Sequence, residues 1–179
     1  EAKKVLPFMF TNQDSLLISN EDFLGKVYVA EFFFTSCPSI CPIMNKNMKI
    51  IEEIYGARGD FGIASFTIDP DHDTPSVLKK YAGDYDVFSQ NWHFLTGQKD
   101  AIYSLANSGF NIFASINPKV EGGFEHQGYF ALIDKKGFIR SRSDQYGNPI
   151  VYYMGLDQEG VEEQDVDLLI KDIKKLLDE

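Results

Sequence analysis

Hydrophobic and polar positions alternate first. In "LPFMFTNQDSLLIS", residues 6–19, apolar side chains recur on either side of Asn12-Gln13-Asp14, the pattern of a short β-hairpin with its turn at those polar residues. "NEDFLG" then predicts one helical turn, opened by Asn20 and stopped by Gly25. "KVYVAEFFFT", residues 26–35, is almost continuously apolar and rich in aromatic and β-branched residues, as expected of a central strand covered on both faces.

Residues 42–55 change to helical spacing. Met44, Met48, Ile51 and Tyr55 fall on one stripe, which Ile43, Ile50 and Ile54 would widen. "FGIASFTID", residues 61–69, predicts a second buried strand. "DTPSVLKKYAGDY" predicts a helix capped by Thr74 with Pro75 as its first residue. "WHFLT" reads as a third strand, "KDAIYSLANSG" as a third helix ending at Gly109, and "GYFALID" as a fourth strand. "DKKG" turns into a fifth strand, "FIRSRSD". A final amphipathic helix, from about 163 to 177, should bury Val166, Leu169, Ile170, Ile173 and Leu176. Acids crowd its start and Lys171, Lys174 and Lys175 its end, which suits the helix dipole.

Strands alternating with helices predict an α/β sandwich, a mixed central sheet flanked by helices with an N-terminal β-hairpin. The length of 179 residues fits a single domain spanning 1–179, with residues 143–160 as a loop or hairpin insertion. The order strand, Cys-x-x-x-Cys, helix, strand is thioredoxin-like in outline.

Composition narrows the chemistry. With 44% hydrophobic and 14% aromatic residues, the chain can bury a sizeable core without a stabilising bridge. Its two cysteines could form only one disulfide closing a very short loop, so a purely structural bridge is discarded. The net charge of −10 disfavours nucleic acid and anionic membrane surfaces as partners; it serves solubility or steers a basic protein. No apolar run approaches the ~20 residues that cross a bilayer. The sequence opens with Glu1 rather than Met, so an upstream signal or anchor is expected.

The cysteines, Cys37 and Cys41 in "FFFTSCPSICPIM", lie where a buried strand meets the next helix, the place where sites form in open α/β sheets. The prolines predict that Cys41 sits just ahead of a helix beginning at Pro42, with Cys37 on the preceding loop. A helix N-terminus favours thiolate, the form that binds metal and attacks disulfides. Redox dithiols usually have two intervening residues; the third one here allows a wider sulfur separation and tilts the pair toward metal. Oxidation to a disulfide stays open.

Two thiolates need a third ligand. His72, in the polar turn "DPDHDTP", reads as solvated, and His93 in "NWHFLT" as a packed or edge-strand residue. His126 closes a Gly-rich loop just before the fourth strand, a position open to a ligand or a bystander. Two soft thiolates and an imidazole would select Cu(I) over zinc, which wants a fourth ligand. Met44 and Met48 are soft too, but their helical spacing marks them as core. Asp69 and Asp73 frame a turn, and Asp69 could reach the site as an outer or weak ligand.

"FFFTSCPSICPIMNKNM", "SFTIDPDHDTPSVLKKYA", "NWHFLTG" and "EHQGYFALIDKKGFIR", with "FMFTNQD" ahead of them, resemble in order and spacing the Sco/SenC family of copper chaperones. The resemblance runs from about residue 5 to 178. It implies a thioredoxin fold on the periplasmic side of the bacterial inner membrane, tethered by an N-terminal segment upstream. It implies copper, Cu(I) or Cu(II), held by Cys37, Cys41 and His126, with Asp69 near the metal. It further implies assembly of the binuclear copper centre in cytochrome c oxidase subunit II. That role would be filled by delivering copper from a donor protein or by keeping the subunit's cysteines reduced. Such a protein is a metallochaperone without turnover; the alternative is a thiol–disulfide oxidoreductase using Cys37 and Cys41. The departure from the family pattern is "SDQYGNPIVYYMGLDQEG", where a short connection is expected and where aromatics could cover the site or meet a partner.

Overall fold

A computed structural model of the chain describes residues 3–179 except positions 113, 118, 120–122, 127, 141, 144, 145, 147, 148 and 151. Of residues 116, 124–126, 142, 143, 149 and 150 it describes the backbone alone. The chain opens with β1 (Lys3–Lys4) and the hairpin strands β2 (Met9–Thr11) and β3 (Leu17–Ser19). Phe10 faces Ile18 across the hairpin and both are buried, while Met9 and Leu17 point outward. The turn is held by the Asn12 side-chain oxygen, which accepts from the backbone N–H groups of Asp14 and Leu16 at 2.9 and 3.0 Å.

A single 3₁₀ turn, Asn20–Phe23, follows. Its cap is Ser19, not Asn20. Ser19 Oγ accepts from the Glu21 N–H at 3.2 Å, and the Ser19 N–H donates to Asp22 at 2.7 Å. Asn20 instead turns back to accept from the Phe8 N–H at 3.1 Å.

The two most apolar runs become β4 (Val27–Phe33) and β5 (Phe61–Thr67), every residue of which is buried. Between them runs α1 (Ile40–Tyr55); beyond them come α2 (Pro75–Asp84), β6 (Trp92–Leu95) and α3 (Lys99–Ser104). A π turn, Leu105–Gly109, extends α3 to the predicted glycine. Thr74 occupies the N-cap position of α2, but its hydroxyl pairs with Ser76 Oγ at 3.2 Å rather than with the helix backbone. Next are β7 (Ala114–Ile116), β8 (Phe124–His126), β9 (Tyr129–Ile133) and β10 (Phe138–Ile139). The chain ends with β11 (Arg142–Ser143), β12 (Pro149–Ile150), β13 (Tyr152–Met154) and α4 (Asp165–Leu177).

Among the described residues the main sheet has seven strands in the order β1-β10-β9-β4-β5-β6, with β13 added against β9. β4, β5 and β6 are parallel, and β9 joins β4 antiparallel, so the sheet is mixed. Alternation along β4 assigns the two faces. Phe32 meets Phe66 at 5.1 Å and Phe110 at 5.8 Å, and Phe66 meets Phe8 edge-on at 5.1 Å, which packs the hairpin and the α3 region on one side. Phe33 meets Tyr81 of α2 at 5.3 Å on the other, where α1 and α4 also lie, joined by the Tyr55 hydroxyl donating to the Ile170 carbonyl at 2.8 Å.

Three further expectations change. The helix begins at Ile40, so Cys41 lies inside its first turn and not ahead of it. A proline at the third helical position is tolerated because first-turn N–H groups have no intrahelical acceptor to lose. On α1 the residues meant to widen the apolar stripe, Ile43, Ile50 and Ile54, are exposed, whereas Asn45, Asn47 and Glu52 are buried. Each of these polar groups has a partner; Glu52 accepts from the Phe88 and Ser89 N–H groups at 3.0 and 2.9 Å. The fifth strand splits into β10 and β11, the latter pairing with β12.

Phe66 touches four aromatic rings from three segments. Phe66→Ala should lower stability by about 3–5 kcal/mol, read as a drop in the urea midpoint with unchanged m-value; a loss below ~1 kcal/mol would mean that the aromatic face repacks.

Candidate metal centre

Strand β4 runs out at Phe33, and the chain must leave the sheet to start α1. The exit is fixed by one buried carboxylate from the neighbouring β5–α2 loop. Asp73, 0% exposed, accepts from the Thr35 N–H at 3.0 Å, from the Thr35 hydroxyl and from the Thr67 hydroxyl at 2.6 Å. Its loop is closed by its own N–H donating to the Asp69 carbonyl at 2.8 Å and tied to β4 by the Ile68 N–H donating to the Phe33 carbonyl at 2.8 Å.

Two residues past Thr35, the Cys37 N–H donates to the Phe34 carbonyl at 3.1 Å, and the cysteine arch turns into α1. Cys37 and Cys41 are 8% and 1% exposed, and both are thiols rather than a disulfide. Their side chains are hydrogen-bonded to each other. Burial pushes the Cys41 thiol far above its ordinary value, the Cys37 contact and the Glu31 charge add to this, and a backbone hydrogen bond at Phe34 opposes it. The helix N-terminus alone would favour thiolate; here desolvation is the larger effect. Around this buried pair the rim is exposed at Ser36, Pro38, Ser39, Pro42 and Ile43.

The remaining sequence candidates separate. His72 is exposed, but its Nδ1 lies 2.9 Å from Asp73, and that hydrogen bond raises its pKa. His93 is half-buried on β6, its Nδ1 3.1 Å from the Asn12 amide nitrogen and its ring edge-on to Phe23 at 5.7 Å; burial lowers its pKa. Asp69 is half-buried on the Asp73 loop, its carboxyl raised first by burial and then by the Asp73 charge. Met44 and Met48 are fully buried core residues. His126 ends β8 with its backbone opposite Ala114 of β7, a hairpin the sequence pattern did not reveal. Its side chain lies outside the described residues. Among the described residues no three His, Cys, Asp or Glu side chains gather as a metal site.

One buried group escaped sequence analysis. Glu31, in the middle of β4, is 0% exposed beneath α1. It accepts from Ser65 Oγ at 2.6 Å, and Ser65 in turn accepts from the Trp92 indole N–H at 3.0 Å. Asn45 bridges Glu31 and Tyr81: its amide nitrogen lies 3.0 and 2.6 Å from the two carboxyl oxygens, and its amide oxygen accepts from the Tyr81 hydroxyl at 2.6 Å. Burial nevertheless raises the carboxyl from its ordinary 4.5 to about 7, against the Ser65 hydrogen bond. The available signal was a lone acid in an apolar strand, which must find partners or neutralise.

Comparison with known proteins gives a consistent picture. A family model described as SCO1/SenC matches residues 1–158. The SCO1 protein homolog of Bacillus subtilis is 34% identical over 174 residues, covering 96% of this chain and 81% of that protein. The crystal structure of a SCO1/SenC family lipoprotein from Bacillus anthracis superposes with a TM-score of 0.79 at 30% identity, over 97% of this chain and 95% of that one. BsSco, a member of the Sco family of cytochrome c oxidase assembly proteins in which a disulfide switch was identified, superposes with a TM-score of 0.77 at 32% identity, over 99% and 95%. The fold is thioredoxin-like, as expected. No helix among the described residues is long and apolar enough to cross a membrane.

Two outcomes follow from the buried carboxylates. Because the folded Glu31 holds its proton up to about pH 7 while an unfolded glutamate loses it near 4.5, stability falls as pH rises through that window. The full effect is on the order of 3 kcal/mol. Glu31→Gln should remove this slope between pH 5 and 8 in urea titrations; parallel curves for both proteins would show that Glu31 is already ionised at pH 5. Asp73→Ala leaves the donors of half-buried Thr35 and buried Thr67 without their acceptor and should cost about 3 kcal/mol or more. The Thr35 amide should lose hydrogen-exchange protection in parallel, and a protected amide would place the exit of β4 under other control.

Proposed function

This chain belongs to the SCO1/SenC family, and we propose that it is a copper-binding metallochaperone acting outside the cytoplasm in the assembly of cytochrome c oxidase. The observation that carries this reading is the pair of mutually hydrogen-bonded, buried thiols, Cys37 on the arch and Cys41 in the first turn of α1. Two sulfur donors held together at a helix N-terminus, on a proline-stiffened arch, suit a soft ion. Cys37 and Cys41 would hold copper with His126, which closes β8, as third ligand; Asp69 stands on the adjacent loop as an outer or weak ligand. Trigonal S₂N coordination accommodates Cu(I) without a fourth protein ligand, whereas a structural zinc site would want one. Binding must displace the proton that burial keeps on Cys41, so copper uptake releases a proton.

On this reading the recipient is the binuclear copper centre of subunit II, copper arrives from a donor protein, and a tether upstream of residue 1 keeps the domain at the outer face of the bacterial inner membrane. A SCO1/SenC relative that is a lipoprotein supports such an anchor. The second reading, a thiol–disulfide oxidoreductase that keeps the recipient's cysteines reduced, is favoured by the contact between the two thiols and by the disulfide switch of BsSco.

Titration of the reduced protein with Cu(I) should show one tight equivalent. Cys37→Ser and His126→Ala should each weaken it by about tenfold or more, the scale seen when even indirect ligand supports are lost. Affinity unchanged by His126→Ala would defeat the three-ligand site. Reduction of a partner disulfide by metal-free protein, undiminished in His126→Ala, would move the function to the second reading.

A further inference from the structure

The insertion's last residues touch both halves of the proposed site. β13 pairs with β9 in the register Met154 opposite Tyr129, which brings Gly155 and Leu156 beside Gly128, two residues after His126. The Gly155 N–H donates to the Gly128 carbonyl at 2.7 Å. From the opposite side, Asn47 of α1, itself 4% exposed, donates its amide N–H to the Gly155 carbonyl at 2.8 Å and to Asp157 Oδ1 at 3.2 Å. One residue, Gly155, is thus bonded through its carbonyl to the helix that carries Cys41 and through its N–H to the chain that has just left His126.

Apolar contacts reinforce the same junction. A Cβ on Gly128 would lie 3.0 Å from Leu156 Cδ1 and 3.8 Å from Ile40 Cδ1, so Leu156 and Ile40 converge on that glycine. Ile40 immediately precedes Cys41. A Cβ on Gly155 would lie 2.8 and 2.9 Å from the fully buried Phe130 ring and 3.2 Å from the Gly128 carbonyl oxygen, which leaves no room for any side chain there. Asn47 is polar on a helix face whose neighbours Ile43 and Ile50 are exposed, and its burial is explained by this contact.

We propose that Asn47 and Leu156 are positioning residues that clamp the chain following His126 to the cysteine-bearing helix, so that the histidine is presented to the two sulfurs at a fixed separation. The proposal rests on the copper reading above and assigns the insertion its role: it is a bolt between the two ligand-bearing segments. Neither residue binds metal. Both act through His126, because the cysteines sit on the arch that Asp73 already fixes.

A double-mutant cycle separates this from a merely structural contact. Cu(I) affinity is measured by competition titration for wild type, Leu156→Ala, His126→Ala and the double variant, with metal-free stability measured alongside. Leu156→Ala should lose about tenfold in affinity when His126 is present and less than twofold when it is absent. The nitrogen hyperfine signal of the Cu(II) form should weaken in parallel, and Leu156→Met, of similar volume, should restore both. Equal losses in the two histidine backgrounds, or none in either, overturn the clamp. If Leu156→Ala does not fold, Asn47→Ala carries the same cycle with the same two outcomes. The wild-type and His126→Ala pair alone tests the copper site, so a protein whose affinity ignores His126 fails at that reading before any clamp variant is compared.

Discussion

The Asp73 carboxylate is the interaction on which the site depends. A charged group with no solvent exposure survives only where its oxygens are met by donors, and here those donors come from the ends of two adjacent parallel strands. Thr35 and Thr67 stand at the same end of β4 and β5, where the side-by-side register of the parallel pair brings both hydroxyls within reach of one acceptor. The point at which the chain departs toward Cys37 is therefore set by the sheet and by a loop 38 residues away, not by the arch itself. His72, whose Nδ1 meets the same carboxylate oxygen as the Thr35 hydroxyl, belongs to this structural node.

Beneath the arch the helix-side core is not uniformly apolar. Glu31, Ser65, Trp92, Asn45 and Tyr81 form a continuous hydrogen-bonded chain across β4, β5, β6, α1 and α2. The opposite face of the same sheet is a cluster of phenylalanines, bordered by the Asn12–His93 pair against Phe23. The division suits the two faces to different tasks. Aromatic packing supplies bulk stability to the hairpin side, and the polar chain fixes the orientation of α1, whose first turn holds Cys41. Burial and the neighbouring Cys37 together hold the Cys41 thiol above its ordinary pKa.

The β13 segment completes the arrangement from the other edge. β13 uses the side of β9 left open beyond β10, and its continuation reaches back over Gly128 to α1. The segment around β13 is thereby built into the sheet and into the junction between the proposed ligands. α4 seals it from the outside, where Tyr153 donates to buried Asp172 at 2.5 Å.

Much of this was legible in the chain. Alternation gave the hairpin, continuous apolar runs gave β4 and β5, and 3.6-residue spacing gave α1 and α4, because each pattern reports which side of a local element meets water, while a proline-led start marked α2. The cysteine pair at a strand–helix junction, and the candidates His126 and Asp69, were visible for the same local reason. Tertiary structure decided which polar groups could be buried. Glu31, Asn45, Asn47, Glu52 and Asp73 go inside and Ile43, Ile50 and Ile54 stay out because each buried polar atom finds a partner that is distant along the chain. Ser65 is 34 positions from Glu31, and Gly155 is 108 from Asn47. Hydrophobic periodicity carries no information about such pairings, so the sequence alone determined most main-sheet strands, the helices and the donor atoms, but not the β7–β8 and β11–β12 pairs. Only the fold, by bringing remote hydrogen-bond partners together, decided how the cysteine arch is held and what the insertion joins.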